Sequence, residues 1–247
     1  MEQDKDFHLY LRIGQSNMAG RGKVEPEDKE IHPRVFALGK AGSWVPAADP
    51  IHFDKPVAAV GPGLTFGKVM ADHDPSIRVG LIPCAAGGSP VSVWNNRGHW
   101  EQTNSRPYVD AMGRAGIAMK HGVLKGILWH QGESDSNEND AELYEDRLVM
   151  LINTLRAELG VPDAPFIAAT LGDFVVEDHP EARIVNEALG RIPQRVKYTA
   201  CVDSGGLEHN GDNVHFSSES ARELGRRYAE AMSSPGISSG SVRQSNS

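Results

Sequence analysis

Five apolar runs, separated by segments with helical spacing, constrain the fold of this chain more than any other feature. They predict strands at residues 9–13, 77–83, 124–129, 166–171 and 198–203. Strands that are apolar throughout and alternate with helices are typical of a mostly parallel sheet that is covered on both faces. We therefore expect a three-layer α/β/α sandwich.

The sequence indicates some of the helices more clearly than others. Apolar residues at positions 144, 148, 151, 152, 155 and 159 share one helical face, and a second helix is expected from a cap at Ser217 or Ser218 to Met232. Weaker candidates cover 63–71, 107–120 and 181–191. The segment 20–62, rich in Pro, Gly and charge, is expected to be a surface excursion that shapes a pocket. A single domain is expected over 1–232, followed by a disordered tail over 233–247.

Composition excludes several classes of partner. A net charge of −8 with scattered basic residues argues against nucleic acid and anionic membranes. No run approaches the roughly 20 apolar residues of a membrane span, so we expect a soluble protein, either cytoplasmic or exported with its leader removed. Cys84 and Cys201 form neither a disulfide framework nor a metal cluster and are expected to be small buried hydrophobes. The sequence does not indicate an oligomeric state.

Polar motifs follow the predicted strands, where ligands bind in sheets of this kind. Gly14-Gln15-Ser16-Asn17-Met18 follows the first strand, and Asp212-Asn213-Val214-His215 precedes the last helix. A serine nucleophile needs an imidazole to take its proton, and the imidazole needs a carboxylate. Ser16, His215 and Asp212 supply these groups. The alternatives are a helix-capping serine, a core histidine, or a metal site that includes His209, although zinc spacing is missing.

Three further segments could supply oxyanion donors or line a substrate pocket. In the run 129–134, the Gln131 amide is expected to donate to an oxyanion. Glu133 is expected either to orient its neighbours or to compete with Asp212 as the partner of His215. Alternatively, the run only caps a strand. The loop 83–89 offers backbone N–H groups to an oxyanion or a phosphate, but both glycine-rich nucleotide motifs are missing. The loop 94–100 either packs its tryptophans in the core or lines a sugar pocket.

These blocks, in this order, resemble the SGNH hydrolases, specifically the carbohydrate esterase family 6 and sialate O-acetylesterase-like branch. The resemblance implies a flavodoxin-like five-stranded parallel sheet of order 2-1-3-4-5. It implies Ser16 as nucleophile, His215 as base and Asp212 as its carboxylate, with Glu133 as the alternative acid. It also implies an oxyanion hole from the backbone N–H groups of Ser16 and Gly88, with Gly87 as the alternative, and from the side chain of Gln131.

The expected function is that of a serine esterase which removes O-acetyl groups from carbohydrates, as acetylxylan esterases do, through an acyl-enzyme. No metal or organic cofactor is required by this chemistry. The alternatives are a carbohydrate-binding protein without catalysis and an SGNH esterase that acts on other acyl esters. On the implied strand order, the two cysteines lie too far apart for a disulfide.

Overall fold

The computed structural model describes residues 3–238 and contains a seven-stranded sheet of order β3-β2-β4-β1-β5-β6-β7. The strands are β1 (Asp4–Gly14), β2 (Val35–Leu38), β3 (Trp44–Pro46), β4 (Arg78–Pro83), β5 (Gly122–His130), β6 (Phe166–Ala169) and β7 (Thr199–Val202). Neighbouring strands are parallel except for β2 and β3, which are antiparallel. The predicted α/β/α architecture is confirmed.

The predicted strand count is wrong, because the sheet has seven strands where five were expected. The five expected strands are β4, β1, β5, β6 and β7, which lie side by side in the implied order. The β2–β3 hairpin extends the sheet beyond β4 and comes from the segment predicted to be an irregular excursion. Strands of four and three residues are too short to show a periodic pattern, and the edge strand β3 is largely exposed and ends at Pro46.

Helices cover both faces of the sheet. They are α1 (Ser16–Ala19), α2 (Pro62–His73), α3 (Pro107–Ala118), α4 (Tyr144–Leu159), α5 (Asp173–Asp178), α6 (Ala182–Arg195), α7 (Ser218–Ser233) and α8 (Pro235–Ser238). Helices α2 and α7 pack together on one face, and α3, α4 and α6 lie on the other. Within residues 3–238, no helix combines the length and apolarity needed to cross a bilayer.

Successive side chains of the central strands point to opposite faces of the sheet and pack in two hydrophobic cores, one on each face. Tyr10 on β1 meets Phe66 of α2, with ring centroids 4.9 Å apart. Trp129 on β5, in register with Ile13 of β1, points to the opposite face, where its Nε1 donates to the Tyr144 hydroxyl of α4 at 3.0 Å. The sheet is therefore buried on both faces, as its apolar runs predict.

The C-terminal helices and the two cysteines differ in part from the sequence-based predictions. Ser217 is the N-cap of α7, and its Oγ accepts the N–H of Ser220 at 3.2 Å. Helix α7 reaches into the predicted tail and α8 occupies Pro235–Ser238, while 239–247 lie outside the described residues. Cys84 and Cys201 are both free thiols and are half-buried, which is more exposure than predicted.

Candidate active site

The chain turns sharply at the end of β1 and places Ser16 at the start of α1. The Gln15 N–H donates to the carbonyl of His130 on the neighbouring strand at 2.9 Å. Gly14 has φ = 129°, and a Cβ there would lie 2.0 Å from the same carbonyl oxygen. Only glycine fits this turn. Because Ser16 opens the helix, its N–H has no intrahelical acceptor.

The loop between β7 and α7 brings Asp212 and His215 to Ser16. Asp212 Oδ1 accepts the N–H groups of Val214 and His215 at 2.9 and 2.8 Å, and its Oδ2 lies 2.6 Å from His215 Nδ1. His215 Nε2 in turn lies 2.9 Å from Ser16 Oγ. The three side chains predicted to be catalytic therefore form one continuous chain of hydrogen bonds.

The environment of Asp212 favours its ionised form. Partial burial raises the pKa of this carboxyl, but hydrogen bonds from the His215 ring and from the backbone N–H groups of His215 and Val214 outweigh that effect and lower it overall. A carboxylate at Nδ1 holds the imidazole in the tautomer whose Nε2 can accept a proton. His209 stabilises the same loop, because its Nδ1 accepts the N–H groups of Gly211 and Asn213.

Phe216 anchors the loop that carries His215. Its ring packs edge-on against His130 of β5 and Phe174 of α5, with centroids 5.4 and 5.3 Å away. Its N–H donates to Asn17 Oδ1 at 3.1 Å. The residue after the imidazole is thus buried, at 2% exposure, while the His215 ring stays at the cavity.

Glu133 lies near this centre but forms no hydrogen bond or ion pair with His215 in the described chain. Its Oε1 accepts Asn17 Nδ2 at 2.6 Å and lies 3.9 Å from Nε2 of the buried His130. Burial raises the pKa of Glu133 to about 7. Of the two acids that the sequence left open as partners of the base, the structure therefore brings Asp212 to His215 and Glu133 to Asn17.

Gln131 occupies a different position from the one expected of an oxyanion donor. The side chain is fully buried, and its Nε2 faces three acceptors, namely Gln15 Oε1, the carbonyl of Ser89 and Asp135 Oδ2. An amide has two N–H groups, so these acceptors take its whole donor capacity. The expected contact between Gln131 and an oxyanion is incompatible with these hydrogen bonds.

Gln15 presents the side-chain amide that the prediction assigned to Gln131. Its Oε1 accepts Gln131 Nε2 at 3.1 Å and the Ser134 N–H at 3.4 Å. Gln15 lines the cavity beside Ser16, and its Nε2 has no acceptor within residues 3–238. Gln131 and the Ser134 N–H therefore fix the orientation of the Gln15 carboxamide and leave its Nε2 without an acceptor in this part of the chain. The residue was missed although it directly precedes the serine in the same motif.

The two glycines of the loop after β4 differ in the partners of their N–H groups, because that of Gly88 has no acceptor within residues 3–238. Asp54 Oδ2 accepts the N–H of Gly87 at 2.9 Å, and Trp100 Nε1 donates to the Gly87 carbonyl at 3.0 Å. Gly88 has φ = 82°, and its carbonyl accepts the Ser134 hydroxyl at 2.8 Å. Because the Gly87 N–H is already used, Gly88 is the better candidate donor of the two.

A cavity of about 420 Å³ opens above Ser16. Besides the residues already described, it is lined by Arg21, Lys55, Val57, Gln102, Val175 and His179. Trp94 does not belong to it, because this side chain is 3% exposed, packs on Trp129 and donates from Nε1 to Ser89 Oγ at 3.0 Å. The expectation that Trp94 packs in the core is the correct one.

A family model described as carbohydrate esterase, sialic acid-specific acetylesterase, matches residues 6–234. The chain belongs to this family. The resemblance to the sialate O-acetylesterase-like branch is therefore confirmed, and the protein is an O-acetyl carbohydrate esterase, a carboxylic ester hydrolase.

Individual relatives agree with this assignment. A probable carbohydrate esterase of Arabidopsis thaliana is 30% identical over 246 residues, which cover 90% of this chain and 89% of the relative. The crystal structure of an Arabidopsis thaliana protein superposes with a TM-score of 0.82 at 29% identity, covering 93% of this chain and 98% of the other.

Two more distant structures share the fold. NanS superposes with a TM-score of 0.74 at 19% identity, covering 94% of this chain and 98% of its own. A carbohydrate acetylesterase from Xanthomonas citri gives 0.70 at 19% identity, covering 92% of this chain and 55% of its own.

Proposed function

We propose that this carbohydrate esterase is a serine acetylesterase that works through an acyl-enzyme, with Ser16 as nucleophile, His215 as base and Asp212 as the acid of the triad. The observation that carries the proposal is the unbroken chain of contacts from Asp212 Oδ2 through the imidazole to Ser16 Oγ, at 2.6 and 2.9 Å. Both distances lie within hydrogen-bond reach, as proton transfer requires.

The reaction proceeds in two similar halves. His215 Nε2 takes the proton from Ser16 Oγ as the oxygen attacks the acetyl carbonyl, and Asp212 stabilises the imidazolium that forms. The tetrahedral intermediate collapses, the sugar hydroxyl leaves with the proton from His215, and the acetyl group remains on Ser16. Water then repeats the steps and releases acetate.

The negative charge on the tetrahedral intermediate needs donors fixed in advance. The backbone N–H groups of Ser16 and Gly88 are two candidates, and the side chain of Gln15 is the third. Gln131 contributes indirectly, because it holds the Gln15 oxygen and so fixes the orientation of the Gln15 carboxamide. No metal or organic cofactor is required for any of these steps.

Ser16→Ala tests this proposal. We expect the variant to fold with an unchanged melting temperature and to lose hydrolysis of 4-nitrophenyl acetate, whereas Ser92→Ala, at an exposed serine, retains it. Turnover by Ser16→Ala equal to that of the wild type would remove the proposal. A carbohydrate-binding protein without catalysis would bind acetylated glycans yet release no acetate in either form.

The glycan itself is the open choice between neutral acetyl sugars, such as acetylated xylan, and anionic ones, such as acetylated sialic acids. One observation favours the anionic class: Lys55 lines the cavity, donates to Gln102 Oε1 at 2.9 Å and has no carboxylate partner within residues 3–238. A cation at this position would pair with a sugar carboxylate. Lys55→Gln should then raise KM for acetylated sialic acid and leave KM for acetylated xylan unchanged, as measured by acetate release.

A further inference from the structure

The carboxamide of Asn17 holds the chain on both sides of His215. Its Nδ2 donates to the carbonyl of Val214 at 3.0 Å, and its Oδ1 accepts the N–H of Phe216 at 3.1 Å. Asn17 is 4% exposed and follows Ser16 directly. One side chain therefore ties the helix that carries the serine to the loop that carries the imidazole.

Glu133 holds the remaining N–H group of that carboxamide. Its Oε1 accepts Asn17 Nδ2 at 2.6 Å, its side chain is 7% exposed, and its Oε2 is buried without a partner in the described chain. A buried carboxylate with so few hydrogen bonds costs free energy, so packing alone gives no reason for an acid here. A polar side chain at this position instead fixes which way the Asn17 amide points.

We propose that Glu133 is a positioning residue for the base: it orients Asn17, and Asn17 holds the backbone that carries His215 within reach of Ser16. The inference rests on the proposed role of His215 and deepens it. Glu133 is not a member of the triad in this account, because it acts on the imidazole only through Asn17. A misplacement of about 1 Å at a reacting group can cost about 100-fold in rate.

Several ionisable groups surround the Glu133 carboxyl. His130 on β5, Asp135 on the same turn, and Tyr144 and Tyr228 on α4 and α7 face it from the protein side. His215, His179, Arg21 and Lys55 share the cavity with it. Because burial raises the pKa of Glu133 to about 7, the test is carried out at a higher pH, where the carboxylate is ionised.

A double-mutant cycle distinguishes this role from a direct one. Glu133→Ala and Asn17→Ala should each lower kcat by about 10- to 100-fold with little change in KM. Since Glu133 works through Asn17, the double variant should be no slower than Asn17→Ala alone. Glu133→Gln, whose amide oxygen can still accept from Asn17, should recover most of the activity. Multiplicative losses in the double variant, or a Glu133→Gln variant as slow as Glu133→Ala, would overturn the proposal.

Hydrogen exchange supplies a readout that does not depend on turnover. The Phe216 N–H, which donates to Asn17 Oδ1, should lose protection by about 10-fold in Glu133→Ala and keep it in Glu133→Gln. Glu138→Ala, at an exposed acid on the same loop, is the matched control and should leave protection unchanged. Wild-type protection in a folded Glu133→Ala variant would overturn the proposal.

The two readouts also separate this inference from the proposed function. If Ser16→Ala were fully active while Glu133→Ala lost protection at Phe216, the serine mechanism would fail and the positioning of the loop would stand. If Ser16→Ala were inactive while Glu133→Ala kept both activity and protection, the serine mechanism would stand and the role of Glu133 would be refuted.

Discussion

The buried carboxyl of Glu133 should make the stability of the protein depend on pH. Burial raises its pKa from 4.5 in the unfolded chain to about 7 in the folded one, against hydrogen bonds that lower it. Below pH 4.5 the group is protonated in both states. Between 4.5 and 7 only the unfolded chain releases its proton, so the free energy of unfolding falls as pH rises. The gap between the two pKa values corresponds to about 3 kcal/mol of unfolding free energy. The protein has lost all of this stabilisation above pH 7.

Glu133→Gln removes this titration and keeps the size of the side chain. The free energy of unfolding of the variant relative to wild type should rise by about 3 kcal/mol between about pH 4 and about pH 8, as measured by urea denaturation followed by tryptophan fluorescence. Glu138→Gln, an exposed acid nearby, controls for the loss of one negative charge. A difference between Glu133→Gln and wild type that stays constant across this range would refute the reasoning.

Three further substitutions test the site. Asp212→Asn should lower kcat by about 10⁴-fold with the fold intact, because the His215 tautomer is no longer fixed; a loss below about tenfold in acetate release would contradict this. Gln15→Ala should lower kcat by about 100- to 1000-fold if its amide stabilises the oxyanion, and an unchanged kcat would exclude that role. Gly14→Ala should destabilise the fold by at least about 1–3 kcal/mol in thermal unfolding, because a Cβ there meets the carbonyl of His130; an unchanged melting temperature would contradict this.

The fold was predictable where burial leaves a long pattern in the sequence. The strand runs are apolar because both faces of the sheet are covered, and the α4 face repeats with helical spacing. The β2–β3 hairpin could not be found in this way. Its strands span four and three residues, and β3 lies largely exposed at the sheet edge, so neither leaves a periodic signal.

The site was predictable where contacts are local and less so where they depend on packing. Asp212 and His215 are three residues apart, so one turn of chain joins them. The choice between Gln131 and Gln15 depends on Asp135 and on the Ser89 carbonyl, which reach Gln131 only in the folded sheet. Sequence identifies a buried amide as a possible donor, but it does not show which acceptors occupy its N–H groups.

Covalent labelling tests the central claim most directly. After incubation with an organophosphonate that modifies activated serines, peptide mass spectrometry should find a single adduct on Ser16, formed in step with the loss of acetate release. The adduct should be missing in His215→Ala, since the hydroxyl is then not activated. Complete inactivation with the label on another residue, or full activity with Ser16 labelled, would contradict the account.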